Sequence, residues 1–233
     1  MLVANDVGIM YVSGGSETWA VRHAFVRIAQ GEMVILEGPS GSGKSSLLYI
    51  LSGIRPPSEG QVLYCGQPIG RPVDRQTVMH RYTEFGFVFQ QHFLVGYLTA
   101  TENACFGRRR SSVPRAREIL TQFGLGSKLN AYPRELSHGE RQRVAVARAL
   151  VHEPRIVFAD EPTASVDTEL AHEICQWLKA YCGRGNSCIM VTHDSRLRMY
   201  ADRIYTMEDG VVSESSQSQR TAHSGVRALG GRL

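Results

Sequence analysis

Three groups of residues carry the chemistry of this chain, in a fixed order. Gly38-Pro39-Ser40-Gly41-Ser42-Gly43-Lys44-Ser45 follows the pattern G-x-x-x-x-G-K-S. Glycines in that pattern let backbone N–H groups curl around phosphates, the lysine reaches the terminal phosphates, and the serine hydroxyl ligates Mg²⁺. Leu136-Ser137-His138-Gly139-Glu140 comes next. A serine hydroxyl and glycine N–H groups at a helix start make a second anion site, positive by dipole and by unsatisfied donors. The third group is Ile156-Val157-Phe158-Ala159-Asp160-Glu161. Four apolar residues bring Asp160 out at the carboxyl end of a strand, where open parallel sheets bind ligands. Asp160 would hold Mg²⁺ directly or through water, and Glu161 beside it can orient and deprotonate an attacking water.

The elements that must position these groups are legible around them. The apolar run Met33-Val34-Ile35-Leu36 precedes the glycine-rich loop, and the helix-like Ser45-Ser46-Leu47-Leu48-Tyr49-Ile50-Leu51 follows it, so a helix N-terminus faces the phosphates. That helix should end near Gly53, before Pro56-Pro57. Strands are expected at residues 7–12, 19–28, 33–37, 60–65, 85–89, 155–159, 187–192 and 203–207. Helices are expected at 113–123 (Ala116, Ile119, Leu120 and Phe123 on one face), 140–151 and about 169–182. This predicts an α/β chain: a mostly parallel sheet covered by helices, with a helical insert between Gln90 and Pro154. The G-x-x-x-x-G-K-S loop resembles that of P-loop NTPases, and the motifs taken together imply by resemblance a P-loop NTPase core with an N-terminal antiparallel β subdomain. Residues 1–214 read as one nucleotide-binding domain with its helical part at about 91–153. Residues 215–233, polar and Ser-rich, read as a flexible tail.

Composition sets broader bounds. A chain of 233 residues with 42% hydrophobic content buries a sizeable core. The net charge of +4 is scattered except at Arg108-Arg109-Arg110, read as a solvated turn. Cys65, Cys105, Cys175, Cys182 and Cys188 contain no C-x-x-C pair, which argues for buried thiols over a disulfide framework or zinc site. The N-terminus lacks the basic and apolar regions of an export signal. No stretch provides the roughly 20 mostly apolar residues of a membrane span, so a membrane role is expected to run through a partner.

The three groups together resemble the ATP-binding cassette (ABC) family of transporter ATPases, over nearly the whole chain before the tail. Residues 136–140 resemble the family's signature, usually Leu-Ser-Gly-Gly-Gln, and Arg141 to Leu150 resembles the helix that follows it. The resemblance implies further roles. Gln90, after Phe87-Val88-Phe89, is similar to the Q-loop glutamine that senses metal, water and the membrane partner. Ser165-Val166-Asp167 resembles the D-loop, and His193 the switch histidine at the γ-phosphate. Tyr11 stands where the family stacks an aromatic on adenine, with Trp19 as competitor. The implied site is therefore catalytic Glu161, His193 and Gln90, the ATP loop from Gly38 to Ser46 with Tyr11, and metal ligands Ser45, Gln90 and Asp160. Ser137, His138, Gly139 and Glu140 would act in trans, closing on the ATP of a second copy in a head-to-tail pair.

Departures from the family pattern are His138 for the first signature glycine, Glu140 for glutamine, Ser46 for threonine and Val166 for leucine. The first two put a side chain and a charge where the partner's phosphate approaches; the last two look neutral. Phe93-Leu94-Val95-Gly96-Tyr97-Leu98-Thr99-Ala100 and Phe158 to Ala164 resemble the macrolide-export, lipoprotein-release and heterocyst-glycolipid-export branch. That branch implies a separate permease, often a periplasmic adaptor, a lipid-like or amphiphilic cargo moved outward, and a peripheral position on the cytoplasmic face of the inner membrane. A mechanical regulator of the cell-division type is the alternative. A nucleic-acid-acting cassette is not expected, because neither a second cassette nor a long coiled-coil insertion is present.

Overall fold

Three apolar runs, Met33–Glu37, Ile156–Asp160 and Ser187–Thr192, are buried at every position, as strands covered on both faces must be. The computed structural model describes residues 1–70 and 74–215. In chain order the elements are β1 (Leu2–Ser13), β2 (Ser16–Ile28), β3 (Met33–Glu37), α1 (Lys44–Leu51), β4 (Glu59–Tyr64), β5 (Gln67–Ile69), α2 (Arg75–Thr83) and β6 (Phe85–Val88). They continue with α3 (Ala100–Ala104), α4 (Val113–Gln122), α5 (His138–Leu150), β7 (Ile156–Asp160), α6 (Thr168–Cys182), β8 (Ser187–Thr192), β9 (Arg203–Glu208) and β10 (Val211–Glu214). The strand order is β5-β4-β1-β2-β10-β9-β3-β8-β7-β6. From β9 to β6 every neighbour is parallel, whereas β5, β4, β1 and β2 pair antiparallel.

The period of two along the central strands divides the core between the two sheet faces. Met33, Ile35, Val157, Ala159, Cys188 and Met190 pack with Val144 of α5 and Ile174 and Leu178 of α6. Val34, Leu36, Ile156, Phe158, Ile189 and Val191 pack instead with Leu47, Leu48 and Leu51 of α1 and with Val21 and Val26 of β2. Helix α1 is thus wedged between the parallel sheet and the antiparallel one, which fixes the loop at its N-terminus.

The expected elements are present, with differences that have local causes. Strand β1 begins at Leu2, five residues before the expected start, because register shifts between Ala4 and Met10 break its simple alternation. Helix α2 was not foreseen: its only fully buried residue is Thr77, so no apolar stripe marks it. Its start was available in Asp74, whose carboxylate accepts the Thr77 N–H at 3.0 Å. Short α3, the short edge strand β5 and the interior strand β10, between β2 and β9, were also missed. The basic run is only partly solvated. Arg109 and Arg110 are exposed, but Arg108 lies 4.8 Å from the Tyr82 ring centre and contacts His152 at 2.9 Å. All five cysteines are free; Cys175, Cys182 and Cys188 are buried, and burial pushes the Cys175 and Cys182 thiols up to about 12. The expected tail at 215–233 lies outside the described residues except for Ser215.

Candidate nucleotide site

Register brings four strand ends together. Glu37 pairs with Thr192, Asp160 with Val191, and Val88 with Ala159. The chain leaving β3 becomes the glycine-rich loop, that leaving β7 carries Glu161, that leaving β8 carries His193, and that leaving β6 reaches Gln90. All four lie at carboxyl ends of adjacent parallel strands, where such sheets bind ligands.

The loop is sterically committed to glycine at two places. Gly43 has φ +103°, and a Cβ there would stand 1.9 Å from the Ala20 carbonyl oxygen; at Gly38, φ +147°, it would stand 2.1 Å from that of Met207. Gly43 caps α1 without a side-chain hydrogen bond, which leaves the first helix N–H groups to an incoming acceptor. The buried Ser42 hydroxyl has no partner among the described residues. Lys44, itself buried, donates to the carbonyls of Gly38 at 2.9 Å and Pro39 at 2.6 Å, so its charge sits inside the loop.

Below the loop, the buried Asp160 carboxylate accepts from two residues of α1. Ser45 Oγ donates to Oδ1 at 2.8 Å and Tyr49 Oη to Oδ2 at 3.0 Å. The phenol is pushed up to about 12, first by burial and then by Asp160. Glu161 follows with φ +48°, a left-handed conformation that costs a non-glycine residue about 1–3 kcal/mol. Its N–H donates to the Val191 carbonyl at 3.0 Å, and its Oε2 lies 2.9 Å from His193 Nδ1. The turn thus aims the carboxylate along the strand ends and ties it to the histidine. Gln90 is exposed just past β6, and Asp167 caps α6 by accepting the Leu170 N–H at 2.9 Å.

Tyr11 Oη meets Ser46 Oγ at 3.2 Å, and the Arg55 guanidinium lies 5.3 Å from the Tyr11 ring centre. Ser46 therefore contacts the aromatic through a hydroxyl that the family's threonine also carries. Trp19, the competing aromatic, stands over Gly8, whose Cβ would come 3.0 Å from its ring.

The signature residues sit elsewhere, at the start of α5. Ser137 and Glu140 form a capping box: the Glu140 N–H donates to Ser137 Oγ at 3.2 Å, and the Ser137 N–H donates to Glu140 Oε2 at 2.8 Å. That N–H, with help from Lys128, holds the Glu140 carboxyl below its ordinary range. The Glu140 carboxylate is thus engaged by its own helix start and by Lys128, 3.3 Å away. A Cβ on Gly139 would reach Leu170 Cδ2 at 2.8 Å, so this glycine lets α5 approach α6. The His138 ring is exposed and packs edge-on against His92, centres 4.5 Å apart. His92 is pushed down to about 4 by burial and then by His138.

These motifs sit within a chain that matches the ABC transporter family over residues 21–164, more than half its length. The chain is an ABC transporter ATPase. It is 41% identical over 208 residues to the putative hemin import ATP-binding protein HrtA of Staphylococcus haemolyticus, covering 86% of this chain and 93% of that protein. It is 39% identical over 220 residues to the uncharacterized ABC transporter ATP-binding protein MJ1508 of Methanocaldococcus jannaschii, covering 92% and 98%. Among solved structures, the dimeric MJ0796 cassette in a post-hydrolysis state bound to ADP and Pi aligns with a TM-score of 0.85 and 33% identity, over 92% of this chain and 98% of that one.

In this ABC ATPase the donor set suits Mg²⁺. Ser45 Oγ and the Asp160 carboxylate are hard oxygen ligands already within 2.8 Å of each other. Mg²⁺ commonly takes one or two carboxylates, with substrate phosphates and waters completing its octahedron. Three further residues escaped the sequence reading. Tyr49 is one helical turn beyond Ser45, an i,i+4 relation that only the neighbouring strand makes meaningful. Gln142, buried in α5, donates to the Pro162 carbonyl at 2.6 Å, beside Glu161. Arg148 of the same helix donates to the carbonyls of His92 at 2.6 Å and Phe93 at 2.8 Å. The signature helix of the ATPase therefore holds both the segment after Gln90 and the turn after Asp160.

Proposed function

We propose that this ATPase binds MgATP on the Gly38–Ser46 loop and uses its hydrolysis to drive a separate membrane permease. The observation that carries this is the convergence at the strand ends: Ser45 on Asp160, and His193 on Glu161. Ser45, Asp160 and Gln90 would hold Mg²⁺, Lys44 and the loop N–H groups the phosphates, and Tyr11 the adenine. Glu161 is the base for the attacking water, and His193 steadies it. Two copies would stack head to tail, Ser137, His138 and Gly139 of one closing on the ATP of the other. Glu140 supports that face by capping α5. The proposed domain limits remain residues 1–214, with the helical part at about 91–153.

The permease surface is supported by Phe93 and Tyr97, which are 62% and 80% exposed. Exposed aromatics on a segment that Arg148 ties to the signature helix offer a partner helix a grip and a path to the site. No helix among the described residues is long and apolar enough to cross a membrane; a peripheral position on the cytoplasmic face is proposed from the family likeness alone. The cargo proposed is amphiphilic: the sequence resembles exporters of lipid-like molecules, with a periplasmic adaptor in that branch, and one relative named above is a putative hemin import ATP-binding protein. The test is to purify the tagged ATPase with its permease, reconstitute both in vesicles, and follow hemin and a labelled lipid. MgATP-dependent movement of either, abolished by Lys44→Ala, is expected. Robust permease-stimulated hydrolysis without movement of any cargo would favour the mechanical regulator.

A further inference from the structure

Tyr49 performs a task that none of the sequence motifs requires. It lies on α1 one turn beyond Ser45, and the two side chains take opposite oxygens of one carboxylate: Ser45 Oγ on Asp160 Oδ1 at 2.8 Å, Tyr49 Oη on Oδ2 at 3.0 Å. One such bond would leave the carboxylate free to turn about its Cβ–Cγ bond. Two donors on separate oxygens fix its plane. The tyrosine is itself anchored, because its carbonyl accepts the N–H groups of Ile54 and Arg55, both at 3.0 Å, where α1 ends.

We propose that Tyr49 is a positioning residue for the metal: by holding the outer oxygen of Asp160, it presents the carboxylate to Mg²⁺ in the orientation that Ser45 shares. The inference rests on the MgATP reading above. Outer partners of metal-ligating carboxylates typically change metal affinity by about 10–100-fold when removed. An effect of that size, confined to the metal, is expected here.

The experiment compares wild type with Tyr49→Phe, which keeps the ring and removes the donor. A fluorescent ATP analogue is titrated in EDTA and again with increasing Mg²⁺, and Mn²⁺ binding to the protein–nucleotide complex is followed by electron paramagnetic resonance. Tyr49→Phe should bind the analogue in EDTA as wild type does, need about 10–100-fold more Mg²⁺ for half-maximal enhancement, and hold Mn²⁺ correspondingly more weakly. In an Asp160→Asn background the same change should add nothing further. Equal weakening with and without metal would make Tyr49 a packing residue and overturn the proposal, as would an unchanged Mg²⁺ requirement or an additive double variant. Wild type showing no metal-dependent binding at all would instead refute the MgATP reading itself.

Discussion

Glu161→Gln separates binding from chemistry at this site. The substitution keeps size and shape, and glutamine can still meet His193 Nδ1, 2.9 Å from Glu161 Oε2. It also keeps the backbone demand, since φ is +48° and both residues bear the same strain. What it removes is the proton acceptor. Losing a general base costs about 10²–10⁴ in rate, or about 2.7–5.4 kcal/mol of barrier at ~1.36 kcal/mol per tenfold. Nucleotide binding should survive, because the loop and the Ser45–Asp160 pair are untouched. The assay is single-turnover hydrolysis of γ-labelled ATP, alongside a nucleotide titration and light scattering with MgATP. We expect hydrolysis slowed at least a hundredfold, unchanged affinity, and an ATP-dependent dimer accumulating because the bridging γ-phosphates persist. Hydrolysis within tenfold of wild type would refute the assignment of Glu161 as base.

Gly43→Ala puts a Cβ 1.9 Å from the Ala20 carbonyl oxygen at φ +103°; it should weaken nucleotide binding at least tenfold, and an unaltered titration would show the loop to be adaptable. His138→Gly removes the ring packed on His92 and opens the signature to the partner's phosphate. Tighter ATP-driven dimerisation with equal or faster hydrolysis is expected, and slower hydrolysis would show that the imidazole contributes a contact. Glu140 has its folded pKa held below its ordinary 4.5, so its stabilisation is complete above that pH and is lost as pH falls through the folded value. The Tm gap between wild type and Glu140→Ala should reflect about 0.3–1 kcal/mol at pH 7 and narrow as pH falls below 4.5 through the folded value, the fading of a depressed carboxylate's contribution; a gap independent of pH would contradict the capping role.

What the sequence disclosed about the site was set by local rules. Gly38, Gly43 and Ser45 belong to one turn whose backbone shape dictates residue type, and the apolar run before Asp160 declares a strand end. Asp160 and Ser45 could be paired in advance because their chemistry is shared, although they are 115 residues apart. Tyr49 could not: on α1 it is a plain half-buried aromatic until β7 is placed beside it. His92 and His138 likewise become neighbours only through packing. The Ser137-x-x-Glu140 spacing is itself the pattern of a capping box, which the structure forms. In the fold, α2 stayed hidden because burial of Thr77 alone leaves no stripe. Strand β10 was announced by the Asp209-Gly210 hairpin turn, both residues at positive φ, but its four exposed or half-buried residues carry no apolar alternation.

The central claim is that each working site is built from two chains, the Lys44 loop of one and the Ser137 signature of the other. It is tested most directly by mixing two inactive proteins, Lys44→Ala and Ser137→Arg, with different tags and purifying the heterodimer. Head-to-tail pairing collects both lesions in one composite site and leaves the second site whole. The heterodimer should then trap MgATP above both homodimer blanks, up to one nucleotide per pair. Confirmed heterodimers that trap no more nucleotide than the blanks would contradict the composite site.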